Sequence, residues 1–178
     1  MPLDSSDIEF HYTDNATGPS DNTLSLGGTM SSATIPSGVD NNIFDDVTGD
    51  ESANSATHYR GIAIYINTIA SAGSFDAIHP RIWISGYDRA TSGADTISIA
   101  ASTFGLNANT MGTCSDENTA PNETGLTWVK EDSGTTIYFN SDGSPTTTQP
   151  SEEGTLKSEH WVGLWIKREV PSGATAYN

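Results

Sequence analysis

Cysteine is nearly absent from the 178-residue chain: Cys114 stands alone, so no intrachain disulfide can form. That excludes a small secreted scaffold stapled by cystines. Basic residues are scarce as well, with seven Lys and Arg against 23 Asp and Glu and a formal charge of −16. Residues 1–57 hold no Lys or Arg, and the first basic side chain is Arg60. So acidic a surface repels nucleic acid and anionic membranes, and neither is an expected partner. The charged fraction, 17%, is too low for a coiled coil or helical bundle. No apolar run nears the ~20 residues of a membrane-crossing helix. Met1-Pro2-Leu3-Asp4 opens on polar residues, without the basic and apolar stretches of a signal peptide. The expectation is a chain made in the cytoplasm and soluble there. A Gly-x-Ser-x-Gly elbow and phosphate-binding glycine loops are missing too.

What is present is strand material between turns. In His58–Asn67 (HYRGIAIYIN), Ile62, Ile64 and Ile66 share one face, and Tyr59, Gly61, Ala63 and Tyr65 the other. That period of two marks a strand with one face in a core. In HWVGLWIKREV, residues 160–170, Val162, Leu164, Ile166 and Val170 alternate with Trp161, Gly163, Trp165 and Lys167. Further strands are expected at Ile8–Tyr12, Thr23–Met30, Pro80–Gly86 and Asp95–Ala101. Leu126–Lys130 and Thr135–Asn140 read as a hairpin turning on EDSG. Gly27-Gly28 signals a bulge or a close backbone approach. Ser31–Ala56 reads as a long ordered loop with a helical turn near Asn42–Val47, and Ser102–Gly125 as a second.

The fold class is all-β: an antiparallel β-sandwich, immunoglobulin-like or jelly-roll, with long loops and an extended N-terminal arm. Residues 1–22 form the arm or a first strand, and 23–178 the sandwich. Deleting residues 1–22 is expected to leave the sandwich folded and to weaken assembly.

Few residues suggest chemistry. The four histidines, His11, His58, His79 and His160, lack metal-binding spacing and read as surface or hydrogen-bonded residues. The densest acidic group is Asp45-Asp46-Val47-Thr48-Gly49-Asp50-Glu51. Its oxygens would suit calcium, with Asp45, Asp46, Asp50 and Glu51 as candidate ligands, but EF-hand spacing is lacking. The competing reading is a turn whose Asp side chains cap backbone N–H groups. Four tryptophans, Trp83, Trp128, Trp161 and Trp165, could stack on sugars or pack structurally. Paired carboxylates could also serve a glycosidase. Cys114 lies in a polar loop beside Asp116, and nearby carboxylates disfavour a thiolate nucleophile. The sequons at Asn15 and Asn122 read as chance in so Asn- and Thr-rich a chain. On these grounds the chain is expected to be no enzyme and to need no cofactor.

An ordered series carries a resemblance: Ser25-Leu26-Gly27-Gly28, Ile35-Pro36-Ser37-Gly38, Asn42 to Ser52 (NIFDDVTGDES), Tyr59-Arg60, Trp83-Ile84-Ser85, and Trp165 to Ala174 (WIKREVPSGA). It resembles small virion structural proteins of tailed bacteriophages, over residues 23–176. The resemblance brings no catalytic residues. It implies a non-enzymatic β-sandwich in the virion: a capsid decoration (cement) protein on the outer surface of the head, or a tail component. Its implied partners are the major capsid protein and copies of itself, as a homo-oligomer such as a trimer. Trp161 and Trp165, if outward, and Phe44 are the candidate contact residues. The rival reading is a receptor- or carbohydrate-binding module of a tail or fibre.

Overall fold

A computed structural model describes residues 5–14, 23–39, 41–67, 76–85 and 95–174. The sequence also reads as a Ser/Gly/Ala turn after Asn67 and a polar turn at Tyr87–Gly93; both, with much of the N-terminal arm, lie outside these residues. A short 3-10 turn, Ser5–Asp7, leads into β1 (Ile8–Asp14). Then follow β2 (Thr29–Thr34), helix α1 (Gly49–Asn54), β3 (Ala56–Ile66), β4 (Ala77–Ile78), β5 (Thr96–Ala101) and β6 (Val129–Lys130). The last elements are β7 (Tyr138–Phe139), β8 (Pro145–Thr146), β9 (Thr155–Leu156) and β10 (Trp161–Val170).

The fold is all-β and sandwich-like. Its backbone is a six-stranded antiparallel sheet in the order β2-β1-β3-β10-β5-β6. The two clearest strand patterns are its centre: β3 and β10 pair from Trp161↔Tyr65 to Val170↔Ala56. Two ribbons, β4–β9 and β7–β8, stand apart from this sheet. On one face, Ile62, Ile66, Val162, Leu164 and Ile99 pack with Phe139, Ile137, Leu156 and Leu106, so the ribbons close this core. On the other, Ala63, Ala100, Trp161 and Trp165 pack with Met111 and Cys114 from the connection between β5 and β6. Each large apolar side chain so buried contributes roughly 1.5–3 kcal/mol. Alternation therefore marks the strands correctly, but both sheet faces are covered.

The second core is built around small residues. A Cβ on Gly163 would meet Met111 Cβ at 2.9 Å, and one on Gly61 would meet Gly27 N at 2.9 Å. Gly27 has φ +90°, and a Cβ there would meet Gly112 O at 2.0 Å and Trp165 at 2.6 Å. The expected close approach at Gly27-Gly28 is thus real: Gly28 N–H donates to Gly112 O at 2.9 Å, and Gly27 bridges Thr113.

Three expectations need correction. They do not include the N-terminal segment, read as an arm or a first strand, since over Ile8–Asp14 it is a strand hydrogen-bonded between β2 and β3. The helical turn falls not at Asn42–Val47 but at Gly49–Asn54, where a capping box starts it. Thr48 Oγ1 accepts from Glu51 N–H at 3.2 Å, and Glu51 Oε2 accepts from Thr48 N–H at 2.7 Å. The EDSG hairpin does not form: β6 pairs with β5 and β7 with β8. Buried Glu131 prolongs the β5 pairing instead, its N–H donating to Ile97 O at 3.0 Å and its carboxylate accepting from Ile97 N–H at 2.9 Å. Nor is Thr23–Met30 a strand throughout, since β2 begins at Thr29 and Leu24 is exposed.

Candidate functional site

The polar chemistry of the described residues concentrates in two clusters, one on each sheet face. The first lies at the end of β3 and β10 that carries Ala56 and Val170. His58 and Arg60 share the inward face of β3 with Ile62, and Arg168 shares that of β10 with Ile166 and Val170. All three polar side chains are buried, Arg60 to 2% exposure. Phe44 lies against both guanidiniums, with Cζ of Arg168 4.9 Å and Cζ of Arg60 5.5 Å from its ring centroid.

Two carboxylates offset these cations. Arg60 Nη2 donates to Glu117 Oε2 at 2.6 Å, and His58 Nε2 lies 3.0 Å from Glu51 Oε1. Arg168 Nη1 donates to the Asp45 carbonyl, and its Nη2 donates to His58 Nδ1 at 2.8 Å. Its Nε is buried with no hydrogen-bond partner among the described residues. Burial holds the Arg168 guanidinium below its ordinary pKa against the pull of Glu51, Glu117 and Asp45.

The second cluster is centred on Glu123, which is partly buried. Its carboxylate accepts from Ser102 Oγ at 3.0 Å, Thr103 N–H at 2.6 Å, Thr103 Oγ1 at 2.9 Å, Gly112 N–H at 2.7 Å and Trp165 Nε1 at 2.8 Å. An anionic acceptor with so many donors makes strong, charge-assisted bonds. It fastens the connection between β5 and β6 over the face of β10. Gly112 makes room, since a Cβ there would meet Glu123 Cγ at 2.4 Å.

The residues singled out from the sequence divide differently than expected. Trp161 and Trp165 are not outward contact residues: they are 5% and 0% exposed, inside the second core. The strand pattern could not show that the connection between β5 and β6 folds back to cover them. Phe44 is partly buried against Arg60 and Arg168. Asp45, Asp46 and Asp50 are exposed, while Glu51 turns inward to cap α1 and meet His58. Among the described residues no group of three His, Cys, Asp or Glu is arranged to hold a metal ion. Cys114 is buried rather than looped into solvent, and burial, then Asp116, pushes its thiol up to about 12. Trp83 is 56% exposed, with Arg81 nearby on Glu153 at 2.8 Å and 5.3 Å from the Tyr138 ring centroid.

Sequence reasoning missed the arginine cluster and Glu123. The first had a signal: Arg60 and Arg168 fall on the apolar parity of their strands, and an inward guanidinium needs buried partners. Glu123 had none, because its five donors come from segments the sequence does not bring together. An open groove beside Thr57, Thr96 and Glu169 offers little beyond that one carboxylate. Compared with known proteins, the chain matches no family model, no curated protein and no solved structure.

Proposed function

We propose that the chain is a non-enzymatic virion structural protein of a tailed bacteriophage, a decoration protein that binds the outer surface of the capsid and stabilises it. The observation that carries the reading is how its most reactive-looking groups are used. His58, Arg60, Arg168 and Glu123 each hold a long loop against a rigid antiparallel sheet. A cementing protein needs a stiff body, ordered loops and a soluble acidic exterior, which suits a charge of −16. The phage-like series in the sequence supplies the identity of the assembly, with the major capsid protein and copies of the chain itself as partners. Purified chain added to expanded capsids lacking it should bind at saturating, defined stoichiometry and raise their resistance to heat. Capsids that bind none and are equally stable without it would remove this reading.

Trp83 favours the second reading, a tail- or fibre-associated carbohydrate or receptor module. Its indole is exposed two residues after Arg81, which pairs with Glu153, and an exposed indole with charged groups in the same segment is what a sugar ring stacks on. Trp83→Ala should then abolish binding to host cells while leaving the melting curve in place.

A further inference from the structure

Segment 41–55 is held at Asn42 by the Tyr12 hydroxyl, at Ser52 and Ala53 by residues 172–174, and between them by one cluster whose fit depends on the proton count of His58. A guanidinium only donates, so the 2.8 Å contact from Arg168 Nη2 makes His58 Nδ1 the bare nitrogen. The imidazole proton therefore sits on Nε2, which donates to Glu51 Oε1 at 3.0 Å. Neutral His58 accepts from β10 and donates to α1 at the same time. Charged groups face it from every packed element: Arg60 on β3, Arg168 on β10, Glu51 on α1, Glu117 in the connection between β5 and β6, and Asp45 beside Arg168.

A second proton on Nδ1 would point at a donor and place a cation beside Arg168 and Arg60. Arg168 already buries Nε without a hydrogen-bond partner among the described residues, so losing the His58 acceptor would strand a second donor. If it moves, the Asp45 carbonyl loses the Arg168 Nη1 donor and Phe44 loses one of its two guanidinium contacts. Those are the ties of the Phe44–Asp45 stretch to β10; the Tyr12–Asn42 and Ser52–Ala174 bonds nearer the ends of the segment do not pass through His58.

We propose that His58 is an acid-sensitive latch: its protonation displaces Arg168 and loosens segment 41–55 around Phe44 and Asp45, while the β3–β10 core stays folded. Burial, then the Arg168 charge, holds the imidazole below its ordinary range, with Glu117 and Glu51 opposing. A histidine so lowered in the folded state stabilises the closed segment above its ordinary value, ~6.5, and loses that contribution as pH falls below it. Glu51 stays ionised below the ordinary carboxylate range. Burial alone would raise it, but hydrogen bonds from the Thr48 backbone and side chain, with His58 and Arg168, outweigh that.

The test is hydrogen exchange of the intact chain at pH 7.5 and pH 5.0, corrected for intrinsic rates, in wild type and His58→Gln. Gln can accept from Arg168 and donate to Glu51 without titrating. Wild-type amides of 41–55 should lose roughly tenfold in protection at the lower pH, those of β3 and β10 should not, and His58→Gln should abolish the difference. Equal protection at both pH values, or equal loss in His58→Gln, overturns the latch. Should the variant not fold, nuclear magnetic resonance titration of wild-type His58 decides. Titration below the ordinary histidine range, in step with shifts in 41–55, supports it; titration without those shifts refutes it.

Discussion

The indole N–H of Trp165 donates to Glu123 Oε1 at 2.8 Å, joining the middle of β10 to a residue 42 positions away in the chain. The same carboxylate gathers Ser102, Thr103 and Gly112. One side chain thus fastens the cover of the second core, and that core holds Cys114 and Met111 against Trp165.

Glu123→Ala should cost about 2–4 kcal/mol, because it strands buried donors on Ser102, Gly112 and Trp165. Glu123→Gln keeps one acceptor oxygen and should cost less. Urea denaturation of the two variants measures both; a loss below ~0.5 kcal/mol in the alanine variant would show that the donors find other partners.

Gly27→Ala and Gly38→Ala separate backbone strain from collision. Both glycines have positive φ, +90° and +71°, but a Cβ meets Gly112 O at 2.0 Å at Gly27 and nothing within 4 Å at Gly38. Gly38→Ala should cost about 1 kcal/mol and Gly27→Ala at least 2 kcal/mol. Equal melting temperatures would place the close approach elsewhere.

Deleting residues 1–14 should destroy cooperative thermal unfolding, since β1 bridges β2 and β3 from Ile8↔Ile66 to Tyr12↔Ile62. This reverses the expectation for an arm. A truncated chain with a sharp, wild-type-like transition in circular dichroism would restore that expectation.

Much of the fold was legible in the sequence, and the reason is local. The alternation in His58–Asn67 and His160–Val170 is set by which side chains face a sheet surface, and it needs no knowledge of partners. Pairing is not local. The Thr48-to-Glu51 capping box is readable within its acidic run; EDSG does turn, Ser133 N–H donating to Lys130 O at 3.0 Å, but the strands beside it pair with β5 and β8 and not with each other. The outward assignment of Trp161 and Trp165 failed because a loop, which has no periodicity, supplies their cover.

Stability should also fall in alkali through Tyr65. Burial, then its 2.5 Å hydrogen bond to Glu159, pushes the phenol up to about 12. The unfolded chain, near the ordinary ~10, loses the proton first, so folding weakens as pH rises from about 10 towards 12. Tyr65→Phe should flatten part of that slope in urea midpoints measured from pH 9 to 11. An unchanged slope would show that Tyr65 titrates alike in both states.

The central claim is a place on the phage head, and the measurement that tests it most directly is a cryo-electron microscopy map of the virion with this chain traced in it. The account predicts copies over the outer face of the icosahedral shell, seated on the major capsid protein. Copies confined to the tail or a fibre tip, or none in the particle, would contradict it.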